Sequence, residues 1–308
     1  MRSANKISTK EMLKKLKRRM APQWLFSGES IYQGCILAIV FLLMLLCLYP
    51  LIYVLGASLM TESEWIARDG LFLFPHHPTL DAYADVFREV GIYTAFGVSV
   101  ARTSVGSILS VLCCAITGYA LHVKGFWGQR FLSIFLFITM VYGGGLISSY
   151  LVIDSTGLRN TFGVFIIPGL LSGWTALLFK QNFNSTPAAL SESARIDGAS
   201  ELTILFRIML PVNMPTVAVM LFFSAVGHWN SWFDAQLYIN SDNMSLIPFQ
   251  LYLKSYFSQK ASSGASAVQN LEAKKMVIAI VGILPVLFVY PFFLKYFTKG
   301  VYMGAVKE

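Results

Sequence analysis

Charge is scarce in this chain: 13% of its 308 residues are Asp, Glu, Lys or Arg, while 56% are hydrophobic. A soluble domain carries about 25% charged residues, so the composition excludes an ordinary water-soluble fold and points to a polytopic membrane protein. Cysteine is also rare. Cys35, Cys47, Cys113 and Cys114 all fall inside apolar runs, which argues against a disulfide framework. No His/Cys pattern suits a metal; the adjacent His76 and His77 lack a third ligand and read as part of a solvated loop. No Gly-x-x-x-x-Gly-Lys-Ser/Thr segment occurs, so the backbone cradle and lysine of a P-loop are missing and the chain is not itself the usual ATPase. The 24 basic residues outnumber the 16 acidic ones. They sit at the edges of apolar runs rather than in one patch, which argues against nucleic acid as a partner.

What is present is long apolar sequence. Six runs match the ~20 helical residues needed to cross a hydrocarbon core: about 34–60, 92–121, 131–151, 161–180, 214–238 and 276–297. Pro168 and Gly169 interrupt the fourth, and Gly143 to Gly145 mark a bending or close-packing point in the third. The first run is about twice the length of a signal-peptide core and reads as a retained span. With the N-terminus inside, sixteen Lys and Arg fall in cytoplasmic segments and seven in outer loops, with Arg102 inside a span. That excess places both termini in the cytoplasm. The fold class is therefore an all-α polytopic membrane protein. A basic cytoplasmic segment occupies 1–30, the six-span domain 31–300, and a cytoplasmic tail 301–308. Within the first of these, residues 6–20 suit a basic interfacial helix on anionic lipid. The long outer loops, 61–91 and about 239–275, face the outside; the second contains Ala-Ser-Ser-Gly-Ala-Ser-Ala and reads as mobile.

One polar island, within about 184–213, interrupts the apolar sequence on the cytoplasmic side. Thr186 suits an N-cap, Pro187 the first turn of a helix, and Gly198 a left-handed end. Ser200 then caps a second helix with Glu201 near its positive end, Ile204, Leu205, Ile208 and Met209 form an apolar stripe, and Pro211 and Pro215 stop it. Two short helices hinged at a glycine, one face apolar and one charged, suit docking into another protein.

The spacing Glu192-Ser193-Ala194, three residues, Gly198, nine residues, then Ile208-x-Leu210-Pro211 resembles the Glu-Ala-Ala coupling motif of ABC importer permeases, with Ser193 in place of an alanine. From about residue 30 to the end the chain also resembles oligosaccharide permeases. The carrying segments are Arg102-Thr103 with Gly106, Gly143 to Leu146, Tyr150, Gly157-Leu158, Gly227 to Phe233, and Lys295 to Gly300. The subgroup for complex or polysaccharide-derived glycans is the nearest, although Ser148 departs from its usual proline. The resemblance implies a bacterial inner-membrane permease that pairs with a second, related permease. It also implies two ATP-binding subunits and an extracytoplasmic solute-binding protein as partners. No cofactor is bound by this chain; ATP and Mg sit on the ATPases. The coupling residues it implies are Glu192, Ser193, Ala194, Gly198, Ile204, Ile208, Leu210 and Pro211, with Glu192 making the charged contact and Gly198 the hinge.

Arg102, costly inside a span, marks a function by default and either lines the pathway, pairs across helices or snorkels outward. His228, Trp229, Asn230, Trp232 and Asp234 combine rings with hydrogen-bonding groups, as sugar recognition requires, but equally suit an interfacial aromatic belt. The competing readings are a permease for a non-sugar solute, a stand-alone secondary transporter or channel, and a membrane enzyme using His228 with Asp234. No internal repeat supports the second, and no nucleophile constellation the third.

Overall fold

The structure, a computed structural model, describes residues 28–67, 74–123, 125, 128–258 and 271–305. The basic helix expected at 6–20 and the Ala-Ser-Ser-Gly-Ala-Ser-Ala stretch lie outside the described residues. All regular elements among the described residues are helical. In chain order the helices begin with α1 (Gly28–Ser58), followed by the short α2 (Glu62–Ala67) and α3 (Asp81–Arg88). The long α4 (Val90–Ala120) comes next, then α5 (Gln129–Val141), α6 (Gly145–Ser155) and α7 (Gly173–Asn184). The polar hairpin is α8 (Ala188–Ile196) and α9 (Glu201–Val212). It leads into α10 (Met214–Asn230), α11 (Phe233–Tyr238), α12 (Phe249–Ser258) and α13 (Leu271–Ala305).

Among the described residues three helices are long and apolar enough to cross a membrane unaided: Tyr32–Ser58 within α1, α4, and Leu271–Tyr296 within α13. Three bent pairs bring the number to six if each pair is one span. The run expected at 131–151 is not one straight helix, because α5 and α6 meet at 118°. The bend falls at Gly143 to Gly145, where Gly145 has φ +80°, a conformation that costs a residue with a Cβ and not glycine. The fourth span is bent by 48° between the 3₁₀ turns of 162–169 and α7, as Pro168 and Gly169 require. The run expected to continue to 238 breaks at Ser231 and Trp232, between α10 and α11.

The helix α4 is the axis of the packing. At its N-terminal end Ile92 joins Val86, Phe249 and Val277 in one apolar cluster, and at its C-terminal end Cys114, Ala115 and Tyr119 join Phe179, Phe183, Ile204 and Met209 in another. Its buried face carries small residues, among them Ser99, Gly106, Ser107, Ser110 and Gly118. Small residues let helix backbones approach closely, which is how helices associate where lipid removes the hydrophobic drive between them. By contrast α1 is exposed from Tyr32 to Ile52, with Leu37, Leu43 and Leu46 uncovered by the chain, and is buried at its end, from Gly56 to Ser58.

At Gly118 a Cβ would lie 2.6 Å from Phe179 Cβ and 2.7 Å from the Ala176 carbonyl oxygen, both on α7. Gly118→Val therefore forces α4 and α7 apart and is expected to cost about 1–3 kcal/mol. Thermal unfolding of the purified protein in detergent checks this, with Gly97→Ala, which meets nothing within 4 Å, as the neutral control.

Candidate functional site: a coupling hairpin and a polar cavity joined by one helix

The hairpin forms where the sequence places it, with three local differences. Thr186 does not cap α8; Pro187 holds the N-cap position without a side-chain bond. The Thr186 hydroxyl is turned instead to Asn213, whose Nδ2 donates to it at 3.1 Å and to the Met209 carbonyl at 2.8 Å. Gly198 ends α8 with φ +80°, as the left-handed turn requires. Ser200 caps α9 by accepting the Thr203 amide. Pro211 does not stop α9: the helix widens into a π turn over Leu205–Met209 and runs on to Val212. A proline has no N–H for the carbonyl four residues back, and the wider turn accommodates that loss. The break comes at Asn213, after which α10 leaves at 85° to α9 with Pro215 in its first turn.

The apolar stripe expected to meet a partner divides. Ile204, Leu205 and Met209 are buried against α4 and α7, so Ile204 is internal packing. Ala194 is buried as well, while Ile208 and Leu210 are half-buried and Ser193 and Pro211 exposed. The apolar side chains that face outward include Leu190, Ile196, Leu202 and Phe206, with Ile196 at 87% exposure. The sequence reading missed these four, although apolar residues on both sides of the glycine among charged neighbours were a signal for them. Glu192 is exposed beside a hollow of about 700 Å³ that Arg195, Glu201, His122 and Asn184 also line.

Glu201 fastens this hairpin. Its carboxylate accepts from Arg195 Nε at 2.8 Å and Nη2 at 3.2 Å, joining the two helices of the hairpin. It also accepts the Tyr119 hydroxyl of α4 at 2.5 Å. The hydrogen bonds from Arg195 and then Tyr119 hold the Glu201 carboxyl below its ordinary range. Tyr119 carried no signal in the sequence, since an aromatic residue at the end of a span suits the interface in any case.

About 26 Å along α4 from Tyr119, at 1.5 Å per residue, Arg102 is buried to 1% exposure. It does not snorkel. Its Nη2 lies 2.5 Å from Asp234 Oδ2, its Nη1 donates to Asp234 Oδ1 at 3.3 Å and to the Ser231 carbonyl at 3.2 Å, and its guanidinium stacks 4.4 Å from the Phe165 ring centre. A cation in an apolar span needs such neutralisation. The pair borders a cavity of about 440 Å³ that His228, Ser110, Ser149 and Tyr238 also line. Gly106 makes room for His228, because a Cβ there would lie 2.6 Å from the imidazole. Asp234 is held by Arg102, Ser231 and its own helix start, and no hydrogen bond joins it to His228, so the acid–base pair of an enzyme reading is not assembled.

The other aromatic candidates fall elsewhere. Trp229 is buried, donates Nε1–H to the Gly282 carbonyl at 2.9 Å and stacks on Phe249. It holds α10 to α13 and does not line the cavity. Trp232 lies under the Lys254 ammonium at 3.5 Å, and Asn230 is exposed at the end of α10. Among the described residues no cluster of His, Cys, Asp or Glu could hold a metal.

Two predictions follow from these bonds. Replacing Arg102 by Ala strands a carboxylate in the span and is expected to cost about 3–5 kcal/mol, whereas Arg102→Met with Asp234→Leu recovers most of the loss in thermal unfolding. Because the Glu201 carboxyl is depressed in the folded chain, its contribution is complete above the ordinary ~4.3 and is lost as pH falls through the lower folded value. Amide protection at residues 199–204, measured against the intrinsic exchange rate at each pH, should therefore fall only at acid pH, and Glu201→Gln should remove that step.

A family model described as "Binding-protein-dependent transport system inner membrane component" matches residues 90–302. The chain is 34% identical over 264 residues to Protein LplC of Bacillus subtilis (strain 168), covering 84% of this chain and 88% of that protein. It is 33% identical over 276 residues to the polygalacturonan/rhamnogalacturonan transport system permease protein YtcP of the same organism, covering 87% and 96%. Among solved structures it matches a chain of a bacterial ABC transporter involved in the import of the acidic polysaccharide alginate. The TM-score is 0.81 at 26% identity, covering 89% of this chain and 99% of that one. The chain thus belongs to the family of inner-membrane components of binding-protein-dependent transport systems, and is a permease rather than an enzyme.

Proposed function

We propose that this permease carries oligosaccharide across the inner membrane as half of a permease pair, driven by two ATP-binding subunits on the cytoplasmic side. Those subunits hold the ATP and Mg; an extracytoplasmic solute-binding protein delivers the sugar. Both chain termini lie in the cytoplasm, following the basic-residue excess of the segments placed inside. The observation that carries the reading is the hairpin itself. It leaves Leu190, Ile196, Leu202 and Phe206 exposed as well as Glu192, and it is bonded to α4 through Glu201 and Tyr119. Large exposed apolar side chains beside charged ones suit a docking element.

The mechanism follows from stiffness. When the ATPase pair closes, it displaces the hairpin. The buried packing of Ile204, Leu205 and Met209 and the Glu201 bonds pass that displacement to α4 and α7. Because α4 is continuous from Tyr119 to Arg102, movement at its inner end reaches the cavity beside Asp234. The hinges that let one part move against another are the breaks at Gly143 to Gly145, at Asn213 and at Ser231. The cavity's size is within the ~300–1,000 Å³ of small-molecule sites, and its hydroxyls and rings match the polar rims and apolar faces of sugars.

Three substitutions test the docking surface. Ile196→Asp and Glu192→Ala are each expected to lower receptor-stimulated ATP hydrolysis by tenfold or more while the protein remains membrane-inserted. Gly198→Val forces a β-branched residue to φ +80° and is expected to abolish assembly with the ATPase. Undiminished hydrolysis and co-purification in all three variants would overturn the assignment.

A further inference from the structure

We propose that the cavity beside Arg102 binds an uncharged sugar unit and discriminates against uronates. This rests on the importer reading above and adds the charge class of the cargo. A similar solved transporter imports an acidic polysaccharide, so the cavity chemistry is the evidence that separates the two classes.

The first observation is the charge count. The charged side chains lining the cavity are Arg102 and Asp234, and they neutralise each other through two guanidinium nitrogens and both carboxylate oxygens. The one further basic group on the wall is His228, an imidazole that is neutral in water above ~6.5. A carboxylate entering this space leaves water without meeting an unpaired cation, and an uncompensated ion in a low-dielectric site is expensive.

The second observation is the direction of the hydrogen bonds. Ser110 gives its proton to the Gly169 carbonyl at 3.2 Å, Ser149 to the Gly145 carbonyl at 2.8 Å, and Ser231 to Asp234 Oδ1 at 2.9 Å. Each hydroxyl has spent its single donor, and what its oxygen retains is acceptor capacity. Those three oxygens therefore offer acceptors to incoming O–H groups, beside the further hydroxyls of Ser224 and Tyr238. A neutral pyranose supplies such donors from every hydroxyl, whereas a uronate replaces one of them with a group that only accepts. Arg102 Nε is buried without a partner, while the rest of that guanidinium is bonded to Asp234 and Ser231. The ring of Tyr238, stacked on Tyr150 at 5.9 Å, adds an aromatic face for the sugar's C–H side.

The test uses the complex of this chain with its co-purifying subunits in lipid nanodiscs at pH 8, titrated calorimetrically with α-1,4-linked galactotriose and with trigalacturonate, which differ in oxidation at C6. Galactotriose is expected to bind at least tenfold more tightly. Asp234→Asn frees the Arg102 charge and is expected to shrink that ratio at least tenfold. Arg102→Met with Asp234→Asn, which removes both charges, is expected to keep the preference for the neutral sugar even if the single variant fails to fold. Trigalacturonate binding as tightly as galactotriose to the unaltered complex would overturn the proposal. So would binding of neither sugar, although ATP hydrolysis by that complex would leave the importer reading standing.

Discussion

A guanidinium in the middle of an apolar span must be neutralised, and that constraint organises the outer half of this protein. Arg102 has one carboxylate within reach, Asp234, and holding it requires α10 to end at Asn230 so that α11 can bring the aspartate to α4. The carbonyl freed at that break, Ser231, is taken up by the same arginine. Irregular backbone at membrane depth persists only where protein or a water-filled cavity covers it. Here the break, the ion pair and the cavity are one arrangement. A buried pair of this kind is weak evidence for stability, since burying both charges costs about as much as their attraction returns. Its consequence is specificity: α4, α10 and α11 have a single register in which the charges meet.

The inner half is built on a different economy. There the hairpin and α4 share an apolar core of Tyr119, Phe179, Phe183, Ile204, Leu205 and Met209, with Glu201 bonded at its edge. The π turn in α9 follows from Pro211, and it turns Leu205 and Met209 inward while leaving Phe206 outside. Close packing makes this backing stiff, because interiors have low compressibility. One continuous helix joins the two halves, because α4 has no proline between Val90 and Ala120.

Much of the site was legible beforehand because its signals are local. The turn at Gly198 needs a residue without a Cβ, Ser200 needs only the amide three residues on, and the length of an apolar run sets whether it spans. The inward face of α9 was not legible, since an apolar stripe has the same period whether a partner or the chain's own helices cover it. For that reason Ile204 read as a docking residue and is core, while Ile196 and Leu202 escaped notice. Trp229 and Asp234 show the same limit. Five residues apart in one polar aromatic segment, they face opposite ways, the first into the packing with α13 and the second toward Arg102.

Composition, span length, the basic-residue asymmetry and the glycine-hinged hairpin were determined by the sequence alone, because each depends on residues within a few turns of one another or on simple counts. The tertiary structure decided which carboxylate Arg102 finds 132 positions away, which side of the hairpin faces out, and that Tyr119 ties the hairpin to the central helix. Those outcomes depend on contacts between segments far apart in the chain, and side-chain periodicity within a segment does not encode the neighbour that will cover it.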